Sequence, residues 1–240
     1  MNLLVEKLNK MRLLGMSKGV QEQEESGLYK DLSFEERLSM LIDREITYRE
    51  DRQLKILLKK AKFRYSGACI EEIDYKASRG ISKSLFLELS ANKWIKDKRN
   101  IILTGSTGTG KTYIACALGN SACRDGFKTL YFRIPRLLQE MKIGKVEGSY
   151  IKLLDRMSKV DLLIIDDWGL SVLNDIERRD FLEIIEDRHN VRSTIIATQF
   201  PVEKWHEIIG DPTIADAICD RLIHNAYHLK LSGESMRKVS

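Results

Sequence analysis

The sequence predicts an α/β protein in which a parallel sheet is flanked by helices and is preceded by a small all-helical domain. Short apolar strands alternate with helical segments from about residue 85 onward, and a glycine-rich loop joins the first strand to the next helix. Before them, residues 1–64 follow helical spacing. A chain of 240 residues is long enough for one main domain and one accessory segment.

Two helices are predicted in the N-terminal segment. Leu4, Leu8 and Met11 recur at helical spacing, and Gly15 with the polar stretch 21–26 is expected to interrupt that helix. Ser33 begins an S-x-x-E capping box, which predicts the start of a second helix. Two amphipathic helices on so short a segment cannot bury both apolar faces, so we expect this segment to bind the rest of the protein or another copy.

Five strands and six helices are predicted in the main domain. The strands are 100–104, 129–133, 162–166, 194–198 and 227–231. The helices are near 111–123, 135–142, 150–158, 175–188, 203–209 and 213–224. The domains that we predict are a helical segment, a linker and the main domain, with bounds 1–64, 65–84 and 85–240.

The composition excludes several classes of protein. With 43% hydrophobic and 31% charged residues, the chain contains no run near the ~18 apolar residues of a membrane span. The charged N-terminus does not resemble a secretory signal, which favours a cytoplasmic protein without membrane partners. The four cysteines form no C-x-x-C pair, which argues against a zinc module and a disulfide framework.

A glycine-rich motif lies between the first predicted strand and the helix that follows. It fits G-x-x-x-x-G-K-[ST], in which the curled backbone and the helix N-terminus direct N–H groups at phosphates. Lys111 is expected to reach the terminal phosphates, and Thr112 to offer its hydroxyl to Mg²⁺. The predicted nucleotide-binding residues are Gly105, Ser106, Thr107, Gly108, Thr109, Gly110, Lys111 and Thr112.

A second motif, V-D-L-L-I-I-D-D at 160–167, is a buried strand with two carboxylates at its carboxyl end, where ligands bind in open α/β sheets. We expect Asp166 to hold hydrated Mg²⁺ opposite Thr112, and Asp167 to orient and polarise the attacking water. Glu is usual at the second position, and the shorter Asp predicts slow hydrolysis. The alternative is that Asp167 caps the following turn through Gly169.

The strand 194–198 ends in two polar side chains. Thr198 or Gln199 is expected to hydrogen-bond the γ-phosphate or the attacking water; the alternative is a loop without a catalytic part. Two further features favour ATP over GTP. An intervening strand, 129–133, is expected to separate the strands of the two motifs, and no N-K-x-D motif that reads guanine is present.

Arg221 follows the apolar face of a helix that leads into the last strand. An arginine in this place can project into a neighbouring subunit's active site as a finger, an effect of about 10³ to 10⁵ in rate. The alternative is an ion pair within the chain, to Asp216, Asp220 or another acid.

A basic stretch lies at 52–64, with six cations and no acid, in a chain whose net charge is +5. It is either a solvated helix face or a contact to the phosphates of duplex DNA. The candidate DNA-binding residues are Arg52, Lys55, Lys59, Lys60, Lys62 and Arg64.

Taken together, these residues resemble the IstB-like ATPases, which are helper proteins for insertion-sequence transposition and relatives of the DnaC helicase loader. The resemblance rests on 100–105 leading into the glycine-rich loop, on I-D-D-W-G at 165–169 and on G-E-S-M-R-K at 233–238. It covers essentially the whole chain. In this family an Asp at position 167 is normal.

The resemblance implies an AAA+ P-loop ATPase that oligomerises on duplex DNA with ATP, engages the transposase of the same element and assists target selection. It implies ATP sites at subunit interfaces, with Arg221 as the finger and Thr198 and Gln199 on the sensor strand. Arg237 matches a second sensor arginine that contacts the nucleotide, although little or no C-terminal lid is expected after residue 231. The alternatives are a loader that grips a replicative helicase and a non-hydrolysing clamp assembled by ATP.

Overall fold

The computed structural model describes residues 3–75 and 79–236. The chain divides into two compact units, Met1–Ile56 and Leu57–Ser240, which we call the N-terminal unit and the sheet unit. The division lies eight residues before the predicted boundary at residue 64, because the last turns of the long third helix belong to the sheet unit. Within the described ranges, no helix has the length and apolar character needed to cross a bilayer.

The N-terminal unit contains α1 (Leu3–Lys10), α2 (Leu14–Glu25) and most of α3 (Phe34–Ala61). A short 3₁₀ helix, Gly27–Tyr29, follows α2. The capping box that predicts the start of α3 is confirmed, since the Glu36 N–H donates to Ser33 Oγ at 3.2 Å and Glu36 Oε2 accepts from the Ser33 N–H at 2.8 Å. The buried core of this unit is small: Val5, Leu8 and Val20.

The predicted helix break at Gly15 and 21–26 is wrong, because α2 includes Gly15 and most of the polar stretch. Gly15 is a site of close approach between helices: a Cβ there would lie 2.7 Å from the Arg44 carbonyl oxygen. The carboxylate of Glu45 accepts hydrogen bonds from the Gly15 and Met16 N–H groups at 2.7 and 3.1 Å. A side chain of α3 therefore satisfies the first free N–H groups of α2.

The sheet unit is built on five parallel strands: β1 (Asn100–Gly105), β2 (Thr129–Arg133), β3 (Leu162–Trp168), β4 (Ser193–Thr198) and β5 (Ala226–Leu231). Each overlaps a predicted strand. Their order is β2-β3-β4-β1-β5. The strand between β1 and β3 is therefore β4, and β2, which was expected to separate them, lies at an edge of the sheet instead. All the described pairings are parallel, so the strands end at one edge.

Helices connect and flank these strands. They are α4 (Lys83–Ser90), α5 (Lys93–Lys96), α6 (Lys111–Arg124), α7 (Ile134–Glu147), α8 (Tyr150–Lys159), α9 (Asp175–Arg188), α10 (Trp205–Ile209) and α11 (Pro212–Ile223). A 3₁₀ helix, Val202–Lys204, precedes α10. In the described residues, β5 is the last strand and no α-helix follows it.

The core lies on both faces of the sheet, as alternation along the strands requires. Ile102, Ile165 and Ile196 belong to a buried cluster that also contains residues of α7 to α11. Their neighbours Ile101, Ile164 and Ile195 belong to a second cluster, which contains residues of α4 to α6. Central strands apolar on both faces are typical of a parallel sheet covered by helices.

The segment 65–84, predicted as a linker, contributes to the second cluster. Ala68, Ile70 and Ile73 are buried in it, with Ile70–Glu72 forming a 3₁₀ helix. Asn120 on α6 donates its side-chain amide to the Ala68 carbonyl at 2.7 Å. This segment is therefore packed within the sheet unit, because burying its apolar side chains is more favourable than leaving them in water.

Candidate functional site

The glycine-rich loop connects the end of β1 at Gly105 to the start of α6 at Lys111. Gly108 and Gly110 have φ values of +87° and +91°, in the left-handed region that favours glycine. The chain can therefore curl here and lead directly into the α6 N-terminus, whose unpaired N–H groups attract phosphate.

The side chain of Lys111 contacts the beginning of this loop. Its Nζ donates to the carbonyl oxygens of Gly105 at 2.7 Å and Ser106 at 2.8 Å. The two bonds tie the start of α6 to the end of β1. A cation is thereby held at the loop in which phosphate oxygens would bind.

Thr112 and Asp166, predicted on separate motifs, are in direct contact. Thr112 Oγ1 donates to Asp166 Oδ2 at 2.8 Å, and the carboxylate is only 1% exposed. The Asp167 N–H donates to Asp166 Oδ1 at 2.9 Å. A hydroxyl beside a buried carboxylate is a hard oxygen donor set of the kind that Mg²⁺ uses together with phosphate oxygens. The residues present therefore fit the metal.

One further donor to Asp166 is a residue that the sequence did not single out. The hydroxyl of Tyr131 on β2 donates to Asp166 Oδ2 at 2.7 Å. Burial, reinforced by the neighbouring Asp166 charge, raises the pKa of Tyr131. The phenol therefore stays protonated near neutral pH and acts as a donor.

Asp167 lies at an irregularity of β3, where the pairing with β4 shifts between Ile165 and Trp168. Its φ of +60° is uncommon for a residue other than glycine and costs of the order of 1 kcal/mol. Its Oδ2 accepts a hydrogen bond from Arg133 Nε at 2.6 Å, and this bond raises the pKa of Arg133. The carboxylate thus bonds an arginine at the end of β2, a contact that differs from the predicted cap through Gly169.

Thr198 and Gln199 have different environments. Thr198 is fully buried, and its hydroxyl donates to the Trp168 carbonyl at 2.7 Å and accepts from the Phe200 N–H at 3.1 Å. Gln199 is half-buried, and its Oε1 accepts from Thr107 Oγ1 in the glycine-rich loop at 2.8 Å. Gln199 is therefore the one whose side chain contacts the loop.

Arg221, on α11, forms an ion pair within the chain. Its Nη2 lies 2.6 Å from Glu186 Oε1, and its Nη1 donates to the Ala217 carbonyl at 2.8 Å. The partner is on α9 and is neither Asp216 nor Asp220. The side chain is 25% exposed and lines a depression on α11 separate from the loop.

Sequence reasoning missed Arg79, a buried arginine in the predicted linker. It donates to the Asp74 carbonyl at 2.9 Å and to the Thr109 carbonyl at 2.8 Å. It thereby joins the segment before α4 to the glycine-rich loop. The available signal was the five apolar residues among 68–75, interspersed with three acidic residues, which are unusual for a solvated linker.

The described end of the chain also crosses the loop. The Met236 N–H donates to the Gly108 carbonyl at 3.0 Å, and the side chain of Ser235 lies where a Cβ on Gly108 would be. The Ser232 N–H donates to the Arg79 carbonyl at 3.0 Å. Arg237, the predicted second sensor, lies outside the described residues.

These parts surround a cavity of about 420 Å³ within the sheet unit. Its lining includes Tyr65 and Tyr113, whose rings lie 6.0 Å apart, and Thr107, Gly108, Gly110 and Lys111 of the glycine-rich loop. Tyr113 also donates to Glu72 Oε2 at 2.8 Å. Aromatic rings and a cationic loop rich in N–H groups in one cavity suit a ligand with a flat ring and phosphates.

The six residues of the basic stretch lie at the end of α3 and just after it. All of them are exposed: Arg52, Lys55, Lys59, Lys60, Lys62 and Arg64. The structure thus leaves both interpretations of this stretch, the solvated helix face and the DNA contact, open.

Comparison with known proteins agrees with the sequence and the fold. Residues 6–240 match the family of IstB-like ATP binding proteins. An insertion sequence ATP-binding protein of Sinorhizobium fredii is 47% identical over 98% of this chain and 95% of its own. One from insertion sequence IS1162 of Pseudomonas fluorescens is 45% identical over 81% and 84%.

Solved structures share the fold. The DnaC helicase loader superposes with a TM-score of 0.57 and 22% identity over 70% of this chain and 99% of its own. DnaI gives 0.57 and 20% over 70% and 90%. The predicted fold, a P-loop NTPase of the AAA+ type with helices before it, is confirmed. The chain belongs to the family of IstB-like ATP binding proteins.

Proposed function

We propose that this protein is a Mg²⁺-dependent ATPase of an insertion sequence, which oligomerises on duplex DNA and assists the transposase of the same element. The contact between Thr112 and Asp166 beside the Lys111 loop is the main support. It brings a hydroxyl, a carboxylate and a cation from two sequence motifs to one edge of the sheet. The relatives from insertion sequences support the biological setting.

Each of these residues has a distinct task in the proposed site. Bound Mg²⁺ would be held through Thr112 and Asp166 and would neutralise charge on the phosphates. Lys111 stabilises the terminal phosphates, and the loop N–H groups fix their orientation. Asp167 accepts a hydrogen bond from the attacking water and polarises it, once its carboxylate leaves Arg133. Gln199 is positioned to contact the γ-phosphate or the water.

Hydrolysis and assembly depend on a second subunit in this proposal. Arg221 leaves Glu186 and reaches the nucleotide of a neighbouring copy as an arginine finger. Exchange of one ion pair for another is feasible, since Arg221 and Glu186 are 25% and 45% exposed and such pairs contribute little to stability. The Arg221→Ala protein is expected to bind ATP without hydrolysing it, and mixing it with Lys111→Ala subunits should restore some turnover.

Measurements of ATP turnover and duplex-DNA retention test the proposed function. Lys111→Ala is expected to lose nucleotide binding, whereas Asp167→Asn should bind ATP, lose hydrolysis and retain DNA for longer. Wild-type protein that behaves like Asp167→Asn would favour the non-hydrolysing clamp. Protein that ignores duplex DNA but captures a replicative helicase would favour the loader.

The basic residues are tested by removing charge in a matched way. The triple variant Lys59→Gln, Lys60→Gln, Lys62→Gln is expected to bind duplex DNA more weakly and with a shallower salt dependence, by about 0.9 in slope for each DNA phosphate that the variant no longer neutralises. The triple variant Lys93→Gln, Lys96→Gln, Lys98→Gln removes the same charge from exposed positions around α5 and is the control. Equal effects of the two variants would mean that only net charge matters.

A further inference from the structure

Tyr131 combines a core position with a polar contact. It lies on β2, is 7% exposed and packs in the cluster that contains Ile101 and Ile164. Burying a hydroxyl in such a position is unfavourable unless it is hydrogen-bonded. Its hydroxyl donates to Asp166, so the ring serves packing and the hydroxyl serves the carboxylate.

The carboxylate of Asp166 is held from three elements. Oδ2 accepts from Tyr131 on β2 and from Thr112 on α6, and Oδ1 accepts from the Asp167 N–H on β3. In the sheet, Tyr131 is opposite Ile164, two residues before Asp166, so only a long side chain can reach the carboxylate. Neither Tyr131 nor Asp166 lines the cavity, whereas Thr112 and Asp167, which donate to the same carboxylate, do.

We propose that Tyr131 is a positioning residue for the metal: it acts through Asp166 and touches neither nucleotide nor metal. This inference rests on the proposed Mg²⁺-ATP function. The hydroxyl fixes the rotation of the carboxylate and stabilises its buried charge before a metal arrives. Partners that orient metal ligands in this way typically contribute about 10- to 100-fold in metal affinity.

Tyr131→Phe removes the hydroxyl and keeps the ring. We expect the affinity for a fluorescent ATP analogue in EDTA to stay within about twofold of wild type. The Mg²⁺ concentration that gives half of the metal-dependent gain in affinity should rise about tenfold. The control is Tyr227→Phe, which removes another tyrosine hydroxyl bonded to a carboxylate, that of Glu88 at 3.0 Å, and should leave both values unchanged.

Two further measurements separate positioning from structure. In an Asp166→Asn background, Tyr131→Phe should change the Mg²⁺ dependence no further, because the hydroxyl acts through that carboxylate. Replacement of Tyr131 by 4-aminophenylalanine, which retains a ring and a donor, should restore most of the Mg²⁺ response. Thermal unfolding of each variant is followed in parallel.

The inference is overturned if Tyr131→Phe leaves the Mg²⁺ dependence unchanged or weakens nucleotide binding equally with and without metal. A Tyr131→Phe chain that does not fold would also overturn it, because the hydroxyl would then be a structural requirement. If the wild-type protein does not bind nucleotide, the proposed function fails as well. If it binds with a clear Mg²⁺ dependence that Tyr131→Phe shares, only the role of Tyr131 fails.

Discussion

Asp167 and Arg133 form the contact of the site that most directly bears on the rate of hydrolysis. Their 2.6 Å hydrogen bond occupies one oxygen of the carboxylate that we propose as the partner of the attacking water. While Oδ2 bonds Arg133, that oxygen is not available to accept a hydrogen bond from water. In our proposal, hydrolysis therefore requires the Asp167 carboxylate to leave Arg133 first.

Replacing Arg133 with Ala should raise the basal turnover of ATP. An ion pair this exposed contributes at most about 1 kcal/mol, so the increase should be about fivefold or less, with unchanged nucleotide affinity. The measurement is steady-state ATP turnover without DNA. Arg136→Ala, which removes an exposed arginine from the first turn of α7, is the control. A fall in turnover to the level of Asp167→Asn would show that Arg133 is needed for catalysis.

Gly108 is required for two separable reasons, its backbone conformation and the space that Ser235 fills. Gly108→Ala should lower stability through strain, by about 1 to 2 kcal/mol, and should also weaken ATP binding by displacing the tail from the loop. Gly148→Ala isolates the strain, since Gly148 has φ +74° and nothing lies within 4 Å of its Cβ position. Thermal unfolding and ATP affinity are compared for both variants. Equal loss of ATP affinity in both would exclude a role for the tail.

The sequence predicts which residues form the candidate site better than it predicts their hydrogen-bond partners. The glycine-rich loop, Thr112 and Asp166 follow from motif spacing, because those spacings reflect the geometry of phosphate binding. The choice between Thr198 and Gln199 does not, because they are consecutive residues at the end of β4 and differ in burial and hydrogen-bond partners, which spacing does not reveal. The partners of Asp166 and Asp167 on β2 depend on which strands are neighbours, which spacing along the chain leaves undetermined.

Among the elements, the segment that precedes α4 departs most from its prediction. Glycines and serines at 66–80 suggest a linker, yet the apolar residues between them are buried against α6. Arg79 closes this segment onto the loop through two backbone carbonyls. Local composition therefore misled the prediction because burial of a few apolar side chains outweighed it.

Arg79→Met should leave the buried Thr109 carbonyl without this donor, at a cost of about 1 to 3 kcal/mol. We expect a lower unfolding temperature, about tenfold weaker ATP binding, and faster amide exchange at Thr109 and Gly110. Arg99→Met removes an arginine that stacks on the Tyr227 ring at 3.9 Å, away from the loop, and is the control. Unchanged ATP affinity in Arg79→Met would mean that the segment packs on the loop without supporting it.

In the N-terminal unit, Glu45 couples α2 to α3. Burial acts to raise the pKa of Glu45, but hydrogen bonds from Arg49, Met16 and Gly15 outweigh it and hold the pKa below its ordinary value of 4.5. A depressed carboxyl pKa stabilises the fold above the unfolded-state value, and this contribution is lost as the pH falls through the folded-state value. The N-terminal unit should therefore lose stability below about pH 4.5.

Hydrogen exchange of the α2 amides in the full-length protein tests this. On acidification below pH 4.5, protection of α2 should fall in wild type, after correction for the intrinsic exchange rate. In Glu45→Gln it should be low at neutral pH and change little. Glu50→Gln, at an exposed position of α3, should behave like wild type. Identical pH profiles for Glu45→Gln and wild type would contradict this account of the α2 N-terminus.

For the whole molecule, the alternation of strands and helices predicts the class of fold, because parallel strands need helical crossovers. All five strands lie where that pattern indicates, and α9 has the predicted bounds. The order of the strands was not predicted from the residues, since any order with right-handed crossovers has the same pattern. The division between the two units also escapes the sequence, because α3 continues through it without a break.

The proposed partners of Arg221 and of the basic stretch are other molecules. Within one chain Arg221 is paired with Glu186, and the basic residues are exposed. Both observations are expected of a subunit outside its assembly.

The most direct measurement is a structure of the protein on duplex DNA with Mg²⁺ and a slowly hydrolysed ATP analogue. We expect the triphosphate on the N–H groups of residues 105–112, the metal beside Thr112 and Asp166, and Arg221 of an adjacent copy turned toward the γ-phosphate. Nucleotide bound elsewhere, or a metal held without either of those two side chains, would contradict the central claim.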